Sequence, residues 1–301
     1  MIYNRNMIKV VFFGTEDISV PSLESLISSD KYEVVGVVTK PDSARGRGHK
    51  VDSPAVAKVA REHDIQLFQP NKLKDIVDDL VALHADVGAL VSYGKMIPDS
   101  IINLFPHGIV NFHPSMLPVY RGPSPIETSI MNGDSFTGLT LMSVQKDMDA
   151  GPIYYQERVE LNGTETASDL YARFGKRGGE LFADKLDKIV SGEIKSLKQD
   201  DDLAVYCHMI KKEDGELDPT VMTAHECDQR IRAFNIWPRC RMDFAGQHVI
   251  VTKAKVLDDF MGDTWPDVVP CYRNTALQVQ TIISPKSGKQ MSASEFLRGL
   301  H

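Results

Sequence analysis

The most constraining feature of the sequence is a repeated alternation between short apolar segments and amphipathic ones. It begins at residues 8–13, a continuous run of apolar, partly β-branched residues that ends at Gly14 and predicts a strand buried on both faces. The same pattern predicts strands at residues 33–38, 87–91 and 108–112 and helices at residues 18–28, 55–62 and 166–190. Strand and helix in alternation imply right-handed crossovers. The first part of the chain is therefore predicted to be α/β, with a Rossmann-like, mostly parallel sheet.

The pattern changes in the last third of the chain. With 301 residues the chain exceeds the ~100–200 residues typical of one domain, so we expect two domains. Residues 191–205 include three consecutive acidic residues and predict a linker between a first domain at 1–190 and a second at 206–301. In the second domain a helix is followed by short alternating segments separated by turn residues. Several short strands in fewer than a hundred residues predict a small β-barrel.

Composition excludes several classes of protein. No apolar run approaches the ~20 residues that span a bilayer, and the polar N-terminal segment does not resemble a signal peptide, so we expect a cytoplasmic protein without a membrane partner. The net charge is −7, and residues 206–301 contain 12 basic and 12 acidic residues, so any polyanion must be bound by local clusters. The four cysteines lack C-x-x-C spacing and no H-E-x-x-H is present, so no metal is expected.

Two polar residues at the end of a predicted strand are the strongest candidates for catalysis. Asn111 and His113 are two positions apart, and side chains alternate along a strand, so both should project from one face. They would lie at the carboxyl end of the strand, where open α/β sheets bind ligands. Asp149, at the end of the next strand, could hold the imidazole in one tautomer. This set needs no Ser or Cys nucleophile and suits acyl transfer in which the acceptor itself attacks.

Several motifs around these residues resemble the signature of the folate-dependent formyltransferases. They are Asn111-x-His113-x-Ser115, Leu117-Pro118, Arg121-Gly122 and Asp149-x-Gly151. Segments at 9–15, 40–54 and 288–299 are similar to the branch of that superfamily that acts on methionyl-tRNA. The resemblance extends from about residue 7 to the C-terminus and is weakest at 256–278.

The resemblance implies a mechanism and a co-substrate. A formyl group would pass from 10-formyltetrahydrofolate to the α-amine of methionine esterified to initiator tRNA, for translation initiation. Asn111 would donate to the developing oxyanion, His113 would move the proton of the amine, and Asp149 would orient His113. The resemblance also implies an OB-like second domain that binds tRNA, and a monomer is our expectation. The implied folate-binding residues are Ser115, Met116, Leu117 and Pro118 on one wall and Tyr93 and Gly94 on the other. Plain loop packing is the alternative interpretation of these six residues.

A basic loop is the implied contact with tRNA. Residues 39–53 include Arg45, Arg47 and Lys50, and Arg47 matches the arginine of the family's Gly-Arg-Gly. Arg and Lys would meet the phosphates of the acceptor stem. Arg45 departs from the family pattern, since Ser43-Ala44-Arg45 stands where the family usually has Arg-Pro-Ala. The alternative is a solvated charged loop.

Other functions remain open at this level. One is a different enzyme on the same catalytic core, either a sugar-nucleotide formyltransferase or a formyl-folate hydrolase. Another is a non-catalytic RNA-binding protein. The basic loop and the C-terminal domain count against the first, and the intact Asn111, His113 and Asp149 count against the second.

Overall fold

A computed structural model describes residues 7–45, 50–262 and 265–300. Within these residues the strands are β1 (Ile8–Gly14), β2 (Tyr32–Val38), β3 (Ser43–Arg45), β4 (Lys50–Asp52), β5 (Leu67–Phe68), β6 (Val87–Val91), β7 (Ile109–His113), β8 (Phe136–Ser143), β9 (Ile153–Glu160), β10 (Cys240–Phe244), β11 (Gln247–Leu257), β12 (Val268–Cys271), β13 (Thr275–Ile283) and β14 (Gln290–Ser292). The helices are α1 (Val20–Ile27), α2 (Ala55–Glu62), α3 (Val77–Ala82), α4 (Asp99–Ile102), α5 (Pro125–Met131), α6 (Ala167–Val190), α7 (Ala224–Ala233) and α8 (Ala293–Arg298). Short 3-10 turns precede α1 and α3, and the second of them, Leu73–Ile76, leads directly into α3.

The chain divides into two compact units. The first comprises residues up to 123, 137–159 and 171–206, and the second comprises 124–136, 160–170 and residues from 207 onward. The domain boundaries drawn from the sequence stay a prediction. No helix in the described part of the chain combines the length and the apolar character that a membrane crossing requires.

The first unit is built on a seven-stranded sheet in the order β5-β2-β1-β6-β7-β8-β9. Strands β5, β2, β1, β6 and β7 are parallel, and β8 pairs with β7 in the antiparallel sense. The central strand β1 is apolar because helices cover both of its faces, and Val10, Val11, Phe12 and Phe13 are fully buried. The α/β prediction is confirmed. The sheet order reverses direction at β1, and open α/β sheets typically bind ligands beyond the carboxyl ends of the strands at such a point.

Helix α6 covers one face of β7 at very short range. A methyl group built on Gly178 would lie 3.1 Å from the ring of Phe112, and one on Gly179 would lie 2.6 Å from the carbonyl of Pro21. Glycine is therefore required at position 179, where α6 meets α1, and Gly178 allows a close approach of the helix to β7. Thr166 caps the start of α6, because its hydroxyl accepts from the backbone N–H of Asp169. Since Phe112 faces α6, its neighbours Asn111 and His113 project from the opposite face of β7.

The second unit contains an antiparallel five-stranded sheet in the order β10-β11-β13-β12, with β14 also paired to β13. Helix α7 packs on it and buries Cys227 and Ile231. A capping box between Thr223 and Glu226 begins this helix, and another between Ser292 and Glu295 begins α8. The curled antiparallel sheet agrees with the OB-like expectation.

Candidate active site

The loops after β1, β2 and β6 meet at one buried threonine. The hydroxyl of Thr15 donates to the carbonyl of Tyr93 at 3.0 Å, and it accepts from the hydroxyl of Thr39 and the backbone N–H of Lys40, both at 3.4 Å. These bonds fix the three loops at the carboxyl edge of the sheet. The strand β7 ends at the same edge, so the predicted catalytic residues lie on the edge where an α/β sheet binds its ligand.

Asn111 and His113 are both buried at the end of β7. Asn111 is 7% exposed and His113 is 4% exposed. In the part of the chain that the structure describes, the side-chain amide of Asn111 makes no hydrogen bond, so its N–H groups remain available to a bound substrate. An amide at a strand end with free donors can stabilise a negatively charged oxygen.

The imidazole of His113 lies between two hydrogen-bond acceptors. Its Nε2 is 2.9 Å from the carbonyl oxygen of Tyr120, and its Nδ1 is 3.7 Å from Oδ2 of Asp149. A neutral ring has one N–H and can donate to only one of these groups, whereas a ring protonated on both nitrogens can donate to both. The distance to Asp149 exceeds that of a hydrogen bond, so their interaction in this state is electrostatic.

A tight turn holds Asp149 in place. Its Oδ2 accepts a hydrogen bond of 2.8 Å from the backbone N–H of Gly122, and its φ of 50° is in the left-handed region. Two residues on, a methyl group built on Gly151 would overlap the carbonyl oxygen of Ser143, so only glycine fits there. The sequence motif Asp149-x-Gly151 thus has a backbone explanation as well as a chemical one.

The predicted folate residues fall into two groups by burial. Ser115 and Leu117 are buried, and the hydroxyl of Ser115 donates to the carbonyl of Val119 at 2.6 Å, while Met116 and Pro118 are half-buried. Thr140 donates to the carbonyl of Ser115 at 2.7 Å, and Gln156 donates to that of Leu117 at 2.8 Å. The segment is therefore rigidly held, and its half-buried side chains are the ones open to a ligand.

Tyr93 and Gly94, predicted to form the other wall of the folate site, differ in exposure: Tyr93 is buried and Gly94 is exposed. The ring of Tyr93 packs edge-on against Phe13 in the core, its hydroxyl has no partner among the described residues, and burial raises its pKa to about 12. Gly94 has a φ of 72°, and a methyl group there would clash with Nζ of Lys40. The ammonium group of Lys40 thus lies over the loop that follows β6.

Two of the three predicted tRNA contacts, Arg45 and Lys50, belong to short strands. Arg47 lies outside the described residues, and the backbones of Arg45 and Lys50 are paired with each other across β3 and β4. The antiparallel pair of β3 and β4 is an element that the sequence did not predict.

Sequence reasoning missed two further residues at this site. Arg121 was noted only as part of a motif, and Gln199 lies inside the segment predicted to be a linker, yet they are 2% and 5% exposed. Gln199 donates to the carbonyls of Asp149 and Gly151, both at 2.8 Å. Both residues lie in segments without hydrophobic periodicity. No sequence signal therefore marks either side chain as buried. A cavity of about 360 Å³ in the second unit, beside Arg232 and Lys253, includes none of the predicted catalytic or folate-binding residues.

Comparisons with known proteins agree with this geometry. Residues 8–186 match the formyl transferase family, and residues 209–301 match the formyl transferase C-terminal domain. A methionyl-tRNA formyltransferase from Sulfurihydrogenibium sp. (strain YO3AOP1) is 34% identical over 97% of this chain and 96% of its own length. One from Bacillus thuringiensis subsp. konkukian (strain 97-27) is 36% identical over the same shares of the two chains. The crystal structure of WlaRD, a sugar 3N-formyl transferase, superposes with a TM-score of 0.67 at 22% identity, covering 91% of this chain and 98% of that one. The chain therefore belongs to the formyl transferase family.

Proposed function

We propose that this protein transfers a formyl group from 10-formyltetrahydrofolate to the α-amino group of methionine on initiator tRNA. The observation that carries the proposal is the free amide of Asn111 beside the buried pair of His113 and Asp149, in a chain with full-length relatives named methionyl-tRNA formyltransferase. A cytoplasmic location follows from the substrate, because charged tRNA is made and used where translation occurs. A monomer remains a prediction.

The folate co-substrate fits the residues at the sheet edge. Solved relatives of this fold were obtained with 5-N-formyl-THF and with folinic acid. In this chain, Gly94 has a left-handed backbone with Nζ of Lys40 close over it, and the half-buried Met116 and Pro118 supply apolar surface. A flat, hydrogen-bonding pterin suits apolar walls with nearby backbone groups. We assign Ser115 and Leu117 the role of shaping that wall, and Tyr93 that of supporting it from the core.

The proposed chemistry is direct acyl transfer. The methionyl amine attacks the formyl carbon, a C–N bond forms, and the bond from that carbon to N10 of the folate breaks. Asn111 donates a hydrogen bond to the formyl oxygen as negative charge develops on it, which typically contributes ~3–4 kcal/mol. His113 takes the proton that the amine loses and returns one to N10, so the protons balance. Asp149 stabilises the charged imidazole through its carboxylate at 3.7 Å.

Contact with tRNA is proposed for the basic loop. Arg47 is the first candidate, with Lys50 and Arg45 beside it, and each would meet a phosphate of the acceptor stem. Net neutrality of residues 206–301 makes such a local cluster necessary, because the second domain has no overall positive charge to attract RNA.

The test is a comparison of acceptors. Purified protein and 10-formyltetrahydrofolate are incubated with methionyl initiator tRNA, with uncharged tRNA, with a nucleotide-linked amino sugar, or with no acceptor. We expect formyl-methionyl-tRNA in the first case and no folate turnover in the others. Rapid formylation of the amino sugar would identify a sugar formyltransferase instead. Folate turnover without an acceptor would identify a hydrolase, and no turnover in any mixture would leave only a binding protein.

A further inference from the structure

The guanidinium of Arg121 lies in the interior of the first unit. Its Nε and Nη2 donate to Oε1 of Gln199 at 3.0 and 2.8 Å, its Nη2 donates to Oδ1 of Asp201 at 2.8 Å, and its Nη1 donates to the hydroxyl of Tyr206 at 3.2 Å. Burial by itself would lower the pKa of Arg121, but the bonds to Asp201 and Tyr206 more than compensate and raise it. A permanently charged group has thus been placed where desolvation is costly, which calls for a reason beyond packing.

Gln199 connects this buried charge to the turn that contains Asp149. Nε and Nη2 of Arg121 both donate to Oε1 of Gln199, and this fixes the orientation of the Gln199 amide. The NH₂ group of Gln199 therefore faces the turn that contains Asp149. That NH₂ group donates to the carbonyls of Asp149 and Gly151, both at 2.8 Å. The two bonds clamp the turn on either side of Ala150.

The clamp acts on a backbone that is not in its preferred conformation. Asp149 has a φ of 50°, a left-handed conformation that costs a non-glycine residue some free energy and persists only when the surrounding structure imposes it. In this conformation its Oδ2 receives the N–H of Gly122 and lies 3.7 Å from Nδ1 of His113. Release of the turn would therefore move the carboxylate away from the imidazole.

We propose that Gln199, oriented by Arg121, is a positioning residue for formyl transfer, which holds the Asp149 turn so that the carboxylate stays beside His113. The inference rests on the proposed function for the identity of the reaction, and on the hydrogen bonds above for the residues. Gln199 touches no reacting atom in this account. It acts only through Asp149.

The first test separates kcat from KM in the full-length protein. Gln199→Ala removes both bonds to the turn, and we expect kcat to fall about 10–100-fold, because small displacements of catalytic groups have effects of this size. KM for folate and for tRNA should stay close to that of the unmodified protein. The matched control is Gln278→Ala, which removes a glutamine amide that donates to Asp267 at 3.0 Å in the second unit and leaves Arg121 and Gln199 untouched; its kcat should stay within about fivefold. A Gln199→Ala protein with unchanged kcat would overturn the proposal.

The second test is a double-mutant cycle with Asp149→Ala. If Gln199 acts through Asp149, adding Gln199→Ala to Asp149→Ala should cause no further loss in single-turnover rate. Equal losses in both backgrounds would assign Gln199 a purely structural role and overturn the proposal. Gln199→Glu is the second variant, for the case in which the alanine variant does not fold. The glutamate keeps an oxygen that accepts from Arg121, but it places an oxygen instead of the NH₂ group beside the carbonyls of Asp149 and Gly151. It should fold and lose kcat, and full activity of this variant would also refute the clamp.

These outcomes are distinct from failure of the proposed function. If the unmodified protein formylates an amine other than that of methionyl-tRNA, the proposed substrate is wrong. The same variants and the same cycle are then measured with that amine, because the clamp does not depend on which acceptor attacks.

Discussion

Replacement of Asn111 by alanine removes the proposed oxyanion donor and little else. Asn111 is 7% exposed, and its amide makes no hydrogen bond in the described part of the chain, so the change leaves no protein group without its partner. The free energy of unfolding should therefore change by less than about 1 kcal/mol. The loss of one donor to a developing oxyanion costs ~3–4 kcal/mol of transition-state stabilisation, so kcat should fall about 10²–10³-fold.

The assay for this prediction is single-turnover formylation of methionyl-tRNA with enzyme in excess, alongside urea unfolding of the same protein. Asn111→Gln serves as a second variant, because it retains the amide but displaces it by one methylene, and it should also lose most of the rate. The control is Asn235→Ala, which removes an amide bonded to the hydroxyl of Ser168 in the second unit and should retain the rate. A rate for Asn111→Ala within about tenfold of the unmodified protein would refute the oxyanion argument.

Three further predictions concern the turn, the core and the basic loop. Gly151→Ala brings a methyl group onto the carbonyl of Ser143, so the free energy of unfolding in urea should fall by about 3 kcal/mol, at the upper end of overpacking effects, and an unchanged midpoint would contradict the packing described. Burial raises the pKa of Tyr93 from 10.0 to about 12, so the unfolded chain ionises first and stability contributed by this residue is lost as pH rises from about 10 to about 12. Tyr93→Phe should be less sensitive to that rise in thermal melts, and identical pH profiles would show that Tyr93 is not the group responsible. Arg47→Ala should raise KM for tRNA at low salt, with an effect that diminishes as salt increases, and an unchanged KM at low salt would argue against the phosphate contact.

Elements with strong hydrophobic periodicity could be predicted from the sequence. The strand at 8–13, the helix at 55–62 and the long helix that begins after Thr166 are all observed within one or two residues of their predicted bounds. Each buries a continuous face, and burial is what the periodicity of a sequence records. The pairing of β3 with β4 was not predicted, because a short polar hairpin has no apolar face to bury. Strand β12 was missed because it contains Pro270, and proline is rare in the interior of a strand.

For the candidate site, the sequence predicted which residues share a face but not how they are connected. Strand alternation correctly placed Asn111 and His113 together, because that is a local property of the backbone. The hydrogen bond from Gly122 to Asp149 and the clamp by Gln199 depend on the tertiary path of residues far apart in the chain. Residues 191–205 are polar and include several acidic residues, so their sequence resembles a solvated linker. Nothing in that sequence indicates that Gln199 is buried.

The most direct test of the account is a rapid-quench single turnover with labelled 10-formyltetrahydrofolate and methionyl initiator tRNA. The tRNA and the intact protein are analysed separately at each time point. Direct attack by the amine predicts that the label leaves the folate and reaches methionine with one rate constant, with no labelled protein at any time. A transient formyl-protein, or label that never reaches methionine, would contradict it.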